Sequence, residues 1–388
     1  MQLITTTADL ATFCERQRGA AFITVDTEFM RERTYWPILC LVQIGGPQEA
    51  AAIDPMAPGI DLAPLTALLD DTSIVKVFHA ARQDLEIFYR MNGRLPVPIF
   101  DTQIAGMVCG HGEAASYETL VGKLARATVD KSSRFTDWAR RPLTERQIHY
   151  AISDVTHLRV IYEKLQHYLE RTGRWSWIEE EMAALADPAT FAARPEDAWL
   201  RLKPRHASAR MLGVLREVAA WREREAQRVD VPRGRILRDE QVLEIASHPP
   251  RTSEALGQIR GLSRGFAEGR MGEGLLPVVQ QALALPEEEL PAREKPPAPL
   301  NAPAAAVDLL RTLLKLRSDE ADVAARLVAN ADELVRLAAG RHEDLPALHG
   351  WRREIFGADA LRLLQGRLGF ALDGDRIRLI EVEGNASQ

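Results

Sequence analysis

Cysteine is scarce in this chain: Cys14, Cys40 and Cys109 are the only three in 388 residues. An odd, scattered set without C-x-x-C spacing excludes a disulfide framework and a zinc finger, and it fits a reducing compartment. Long apolar runs are missing as well, and none approaches the ~18 residues a membrane span requires. The opening residues MQLITTTADL carry neither a basic stretch nor an apolar core, so no secretory signal is expected and a soluble cytoplasmic protein is. Positive charge is not in excess, since 49 Lys+Arg against 55 Asp+Glu leave a net −6. Taken whole, that balance argues against a polyanionic partner, because phosphate binders are usually basic.

What is present is ordinary globular material, 46% hydrophobic and 27% charged, in a chain long enough for two or three domains at roughly 100–200 residues each. The first part alternates strand-like and helix-like stretches. Residues 21–28 (AFITVDTE), 38–44 (ILCLVQI) and 50–54 (AAAID) read as strands, with the turn signal GGP at 45–47 between the last two. Residues 61–69 read as a helix, 74–79 (IVKVFH) as a buried strand and 82–91 as a helix. This alternation predicts an α/β domain, a mixed sheet with flanking helices. From Thr144 to about residue 170, Ile148, Ile152, Val155, Leu158, Ile161, Leu165 and Leu169 recur at spacings of three and four. That is one long amphipathic helix, with Thr144 as N-cap and Gln147 completing a capping box.

Beyond about residue 175 the strand signal fades. Residues 206–285 read as short helices punctuated by proline and glycine, and 286–304 as a Pro/Ala-rich, semi-rigid linker. Residues 305–372 read as a second all-helical unit of similar length, with a frayed tail from 381. The expected organisation is an α/β domain over 1–175, a helical domain over 206–285, the linker, and a helical domain over 305–372.

Four acids stand out. In VDTEF, Asp26 and Glu28 are two apart in a strand, and period-two alternation puts both on one face while Val25 and Thr27 face the other. Asp84 opens the helix after IVKVFH, and Asp154 follows Tyr150 by four residues, so both project from one side of the long helix. Each acid alone reads as a solvated or dipole-stabilising group. Together, converging carboxylates would raise one another's pKa unless a cation intervened. Hard oxygen ligands suit Mg²⁺ or Mn²⁺, and such a cluster can hold two divalent cations about 3.5–4 Å apart for in-line displacement at phosphorus. Tyr150 is then placed to orient the attacking water.

The segments VDTEF, HAARQDL and YAISDV resemble the three motifs of the DEDD exonuclease superfamily, in its tyrosine-bearing subgroup. The stretches TYWPILCLVQIG and DKSSRFTDWARRPLTERQIHY are similar to those of the ribonuclease D family, and VLREVAAWREREAQRVDVPRGRILRDE resembles its helical HRDC module. The resemblance implies a ribonuclease H-like fold, two HRDC-like modules and 3′→5′ hydrolysis releasing nucleoside 5′-monophosphates. It implies metal ligands at Asp26, Glu28, Asp84 and Asp154, with Tyr150 assisting the water. It further implies an RNA substrate with a free 3′ end, tRNA precursors among them. A DNA-directed exonuclease of the same superfamily is the alternative within the enzyme class, and a nucleic-acid scaffold without catalysis the alternative outside it.

Lys131, Arg134, Arg140 and Arg141 crowd the segment before the long helix, with Phe135 and Trp138 among them. Basic side chains interleaved with aromatics suit a single strand, although Trp138 can equally pack beneath the helix. Phe29, next to the acidic pair, is a candidate wedge between terminal bases. His79 reads as a satisfied, partly buried histidine and Asp101 as an N-cap. Between Trp199 and Arg270 there are 15 Lys+Arg, Lys203 and Arg205 among them, against 9 acids: +6 locally and −12 for the rest. A basic module that holds substrate beside an acidic one that cuts it is the expected division, in a monomer. On that reading, removing 206–388 weakens binding and spares the chemistry.

Overall fold

The computed structural model describes residues 2–130, 133, 136–204, 207–292 and 300–382. Its centre is a six-stranded mixed sheet of β1 (Gln2–Ile4), β2 (Phe22–Met30), β3 (Ile38–Gly45), β4 (Ala50–Ile53), β5 (Val75–Phe78) and β6 (Ile99–Asp101), in the order β1-β4-β3-β2-β5-β6. The β2–β3 and β3–β4 pairs are antiparallel; β1–β4, β2–β5 and β5–β6 are parallel. The antiparallel neighbours follow one another in the chain through helix-free loops, whereas the stretches of chain between parallel partners carry helices. The expected mixed sheet is therefore present, with β2 at its middle.

Helices α1 (Thr7–Gln17), α2 (Ala63–Leu69) and α3 (Arg82–Asn92) cover one face, burying Phe13, Leu65 and Phe88 against Val25, Val42 and Ile44. Helices α4 (Thr102–Val108), α5 (Tyr117–Leu120), α6 (Glu145–Thr172) and α7 (Ser176–Leu185) lie on the other side. The long helix α6 starts where the sequence puts it: the Thr144 side chain accepts from the Gln147 amide and the Gln147 side chain accepts from the Thr144 amide. It then crosses the sheet closely. The Thr24 hydroxyl donates to the Val155 carbonyl at 2.8 Å. A Cβ at Gly45 would lie 2.4 Å from Thr24 Oγ1 and 3.1 Å from the Val155 carbonyl, so only glycine admits the helix here. This approach sets Asp154 over β2.

Helices α8 (Ala209–Val229), α9 (Arg233–Ile236), α10 (Asp239–Ser247), α11 (Ser253–Gly257), α12 (Arg264–Glu268) and α13 (Arg270–Ala284) form a second unit, with Leu215, Val218, Ile245 and Leu275 in its core. Tyr35, from the loop between β2 and β3, is buried in that core too. Its hydroxyl donates to the fully buried Glu223 carboxylate. The Tyr35 and Trp36 amides both donate to Asp230 Oδ1 at 3.1 Å. On its other side, Trp36 carries the Arg90 guanidinium of α3, 3.1 Å from its ring centroid.

The last unit consists of α14 (Ala304–Ala321), α15 (Ala325–Val328), α16 (Ala331–Ala338), α17 (Gly350–Arg352) and α18 (Ala358–Leu364), followed by an antiparallel hairpin of β7 (Leu368–Asp373) and β8 (Arg376–Glu381). The hairpin corrects the expectation of an all-helical unit ending at residue 372, a boundary that falls inside β7. This unit is not suspended from the linker. Leu310, Leu313, Phe356 and Leu368 share one apolar cluster with Met107 and Val108 of α4, Leu158, Ile161 and Leu165 of α6, and Ile178 of α7. The Ala324 amide donates to the Met107 carbonyl at 2.8 Å, and Trp177 stacks on Trp351 with ring centroids 4.5 Å apart. Arg352 reaches Glu180 and Glu181 of α7. The third unit therefore closes the core beneath α4 and α6, which revises the expectation that removing 206–388 would leave the chemistry untouched.

Candidate active site

Asp26 and Glu28 stand two apart on β2, on the face that α6 crosses, and both are half-buried. Asp154, buried on α6, meets them there, and oxygens of the three carboxylates lie within 4.8 Å of one another. Tyr150, one helical turn before Asp154, shares a side-chain hydrogen bond with it. Burial, and then the charges of Asp154, Glu28 and Asp26, push the Tyr150 pKa up, so its hydroxyl stays protonated. Burial likewise pushes the Asp26 carboxyl from 3.8 up to about 6, against the lowering effect of the Thr27 amide.

Asp84 comes from the opposite layer. It is the third residue of α3, and Thr27, the β2 residue facing away from Asp26, donates its hydroxyl to Asp84 Oδ1 at 2.5 Å. Burial first and the Asp26 charge second raise the Asp84 pKa well above the usual carboxylate value. The geometry thus gathers Asp26, Glu28 and Asp154 tightly and sets Asp84 beside Asp26 under a separate tether.

Asp26, Glu28, Tyr150 and Asp154 open into a cleft of about 480 Å³, lined also by Thr27, Phe29, His79, Gln83, Tyr117 and Leu158. No lysine or arginine is among its described lining residues. Three close carboxylates without a cationic side chain form an all-oxygen, strongly anionic donor set, which fits hard divalent cations. Cysteine chemistry has no place here. All three thiols are buried and free, and burial pushes Cys14 and Cys40 up to about 11 and Cys109 up to about 12.

Tyr117 and His79 enter the site without having been singled out for it. The Tyr117 hydroxyl donates to the Asp154 carbonyl, and its ring lies 5.5 Å from that of His79. No motif marks Tyr117 in the sequence, since its role depends on where α5 lands. His79 is the satisfied, partly buried histidine expected, bonded through Nδ1 to the Thr102 hydroxyl, and it also faces the cleft.

The expected nucleic-acid contacts divide. Phe29 lines the cleft, and Arg140 and Lys203 are exposed. Lys131, Arg134 and Arg205 lie outside the described residues. Arg141 is a correction: its guanidinium is committed within the protein on every nitrogen. Its Nε and Nη2 bind Asp54 at 2.7 Å each, Nη2 also meets the Cys40 carbonyl, and Nη1 serves the carbonyls of Trp138 and Arg140. Arg141 ties the segment before α6 to the end of β4 and has nothing left for a phosphate. Trp138, 2% exposed, packs beneath α6 with Leu41, Ala52 and Ile152 and presents no face to a base.

Residues 1–170 match a family model described as a 3′-5′ exonuclease, and residues 211–279 match the HRDC domain. The ribonuclease D of Gluconacetobacter diazotrophicus is 54% identical over 97% of this chain and 96% of that protein. The ribonuclease D of Granulibacter bethesdensis is 50% identical over 97% and 96%. The crystal structure of Escherichia coli RNase D, described as an exoribonuclease involved in structured RNA processing, is 33% identical with a TM-score of 0.80, over 94% of this chain and 98% of that one.

Proposed function

The chain belongs to the ribonuclease D family, and from that premise we propose that it removes nucleotides from the 3′ end of RNA, with Asp26, Glu28, Asp84 and Asp154 as the ligands of two divalent cations, Mg²⁺ or Mn²⁺. The observation that carries this reading is the convergence of Asp26, Glu28 and Asp154 within 4.8 Å in a cleft that also holds Tyr150. Cations held by these carboxylates would supply Lewis acidity, which lowers the pKa of water and offsets negative charge on a leaving 3′-oxygen. The chain's own part is to hold and orient. Tyr150, kept protonated and hydrogen-bonded to Asp154, orients the attacking water. Phe29 packs against the terminal base, and Asp84, tethered by Thr27, completes the ligand set from the far layer. The products are nucleoside 5′-monophosphates.

The substrate is RNA with a free 3′ end, tRNA precursors among them, and the enzyme acts as a cytoplasmic monomer. No described helix is long and apolar enough to cross a membrane. The chain divides into the exonuclease domain (1–175), the HRDC domain (206–285), the linker (286–304) and a second HRDC-like unit (305–372, extended by the hairpin). Exposed cations such as Arg140 and Lys203 contribute to holding the strand.

The test is a 3′-labelled RNA oligomer beside its DNA equivalent, with Mg²⁺ and the full chain. RNA should be degraded in preference, Asp154→Ala should abolish hydrolysis with the fold kept, and Tyr150→Phe should slow it by about 10²-fold. Preference for DNA overturns the substrate, and wild-type hydrolysis by Asp154→Ala overturns the site.

A further inference from the structure

Asp101 closes β6 and caps α4, and its side chain is 3% exposed. The carboxylate accepts from two amides in the first turn of its own helix, Gln103 at 2.7 Å and Ile104 at 3.4 Å. It also accepts from two amides in another segment, Ala80 at 3.1 Å and Ala81 at 2.8 Å, in the turn between β5 and α3. Helix α3 has no side-chain cap of its own, because its N-cap position is Ala81. One carboxylate thus serves the N-termini of two helices that spring from adjacent parallel strands, where negative charge is favoured twice over.

The turn it grips needs holding. Ala80 has φ +56°, left-handed backbone that an L-residue adopts only under strain. Thr102, next to Asp101, fixes the residue before it: the Thr102 hydroxyl donates to the Phe78 carbonyl at 3.1 Å, so His79 Nδ1 donates to Thr102 Oγ1 at 3.0 Å. His79, Ala80 and Ala81 are therefore clamped from the end of β6 and the start of α4, and three residues later comes Asp84. Slack in this turn would displace Asp84, and with it Gln83, which lines the cleft.

We propose that Asp101 is a positioning residue for Asp84: its carboxylate caps α3 from outside that helix, holds the strained turn and so fixes where the fourth acid stands. The inference rests on the proposed ligand set. It assigns Asp101 work beyond that of an N-cap, and the two can be separated by side-chain length. Serine caps a helix well but does not reach Ala80 and Ala81.

The experiment is Asp101→Ser in the full chain. Mn²⁺ binding without RNA is followed by calorimetry, and kcat and KM are measured on an RNA oligomer. The expected result is a folded protein by circular dichroism, with Mn²⁺ affinity and kcat both lowered about tenfold or more and KM changed much less. Adding Ala80→Gly, which removes the backbone strain, should restore a substantial part of both. Unchanged Mn²⁺ affinity and kcat in a folded Asp101→Ser protein overturn the proposal. So does a loss that Ala80→Gly leaves untouched. If Asp101→Ser alone does not fold, Asp101→Asn, which keeps one acceptor oxygen, is measured by the same two readouts and the same criteria. Asp84→Asn separates the failures: if it hydrolyses RNA normally, the ligand assignment falls, whereas if it is inactive and Asp101→Ser is not, only the clamp falls.

Discussion

Asp26→Asn should make the metal-free protein more stable while abolishing its activity. Burial lifts the Asp26 carboxyl from 3.8 to about 6, so the folded protein holds that proton more tightly than the unfolded chain does. The sign follows from linkage: the cost of ionising Asp26 is absent below about pH 4, grows between about pH 4 and 6, and is complete above that. Two pK units at 1.36 kcal/mol each put its ceiling at about 3 kcal/mol. Asparagine keeps an acceptor for the Thr27 amide and cannot ionise. It also relieves Asp84, whose pKa the Asp26 charge raises further. In EDTA at pH 7.5 the variant should therefore gain about 1–3 kcal/mol, or several degrees in Tm at roughly 2–4 °C per kcal/mol. At pH 4 the gain should vanish. Mg²⁺ should close or reverse the gap, because a cation at one hundred times its Kd adds about 2.7 kcal/mol to the wild type and little to the variant. Thermal melts in EDTA and in Mg²⁺, at pH 4 and 7.5, read all of this. A variant that melts below the wild type in EDTA at pH 7.5, or a difference independent of pH, refutes the reasoning.

Asp54→Ala strands Arg141, and breaking a largely buried ion pair of this kind should cost about 3 kcal/mol in denaturant melts. Ending the chain at residue 303 strips Leu310, Leu313 and Phe356 from the shared core, each worth about 1.5–3 kcal/mol, so the truncated protein should melt far below the full chain and bind a hydrophobic dye. Tyr35→Phe removes the hydroxyl that donates to the buried Glu223, and calorimetry should show a loss of about 1–3 kcal/mol.

The local elements and the acids are legible because they depend on local pattern. Thr144 and Gln147 mark the start of α6, and the alternation of Asp26 and Glu28 marks one face of β2, with no knowledge of the rest. Arg141 misled because basic character is visible in sequence and commitment is not: only the fold brings Asp54, from the end of β4, to its guanidinium. Tyr117 was invisible for the same reason. The β7–β8 hairpin did leave a trace, Gly374–Asp375 between stretches rich in β-formers, which is a two-residue turn signal with glycine at the first turn position. The docking of the last unit on α4 and α7 left none, since a hydrophobic period shows which side of a helix is buried and not against what.

The loop that carries Tyr35 has a consequence for how such proteins can be recombined. β2 bears two of the acids in its middle and runs on into a segment bolted between α3 and α8, by Arg90 on one side and by Glu223 and Asp230 on the other. The exonuclease and helical units are therefore not interchangeable cassettes. A graft that brought a foreign helical unit would have to bring sockets equivalent to Glu223 and Asp230, or else exchange Tyr35 and Trp36 as well. The two units travel as a matched pair, key and lock.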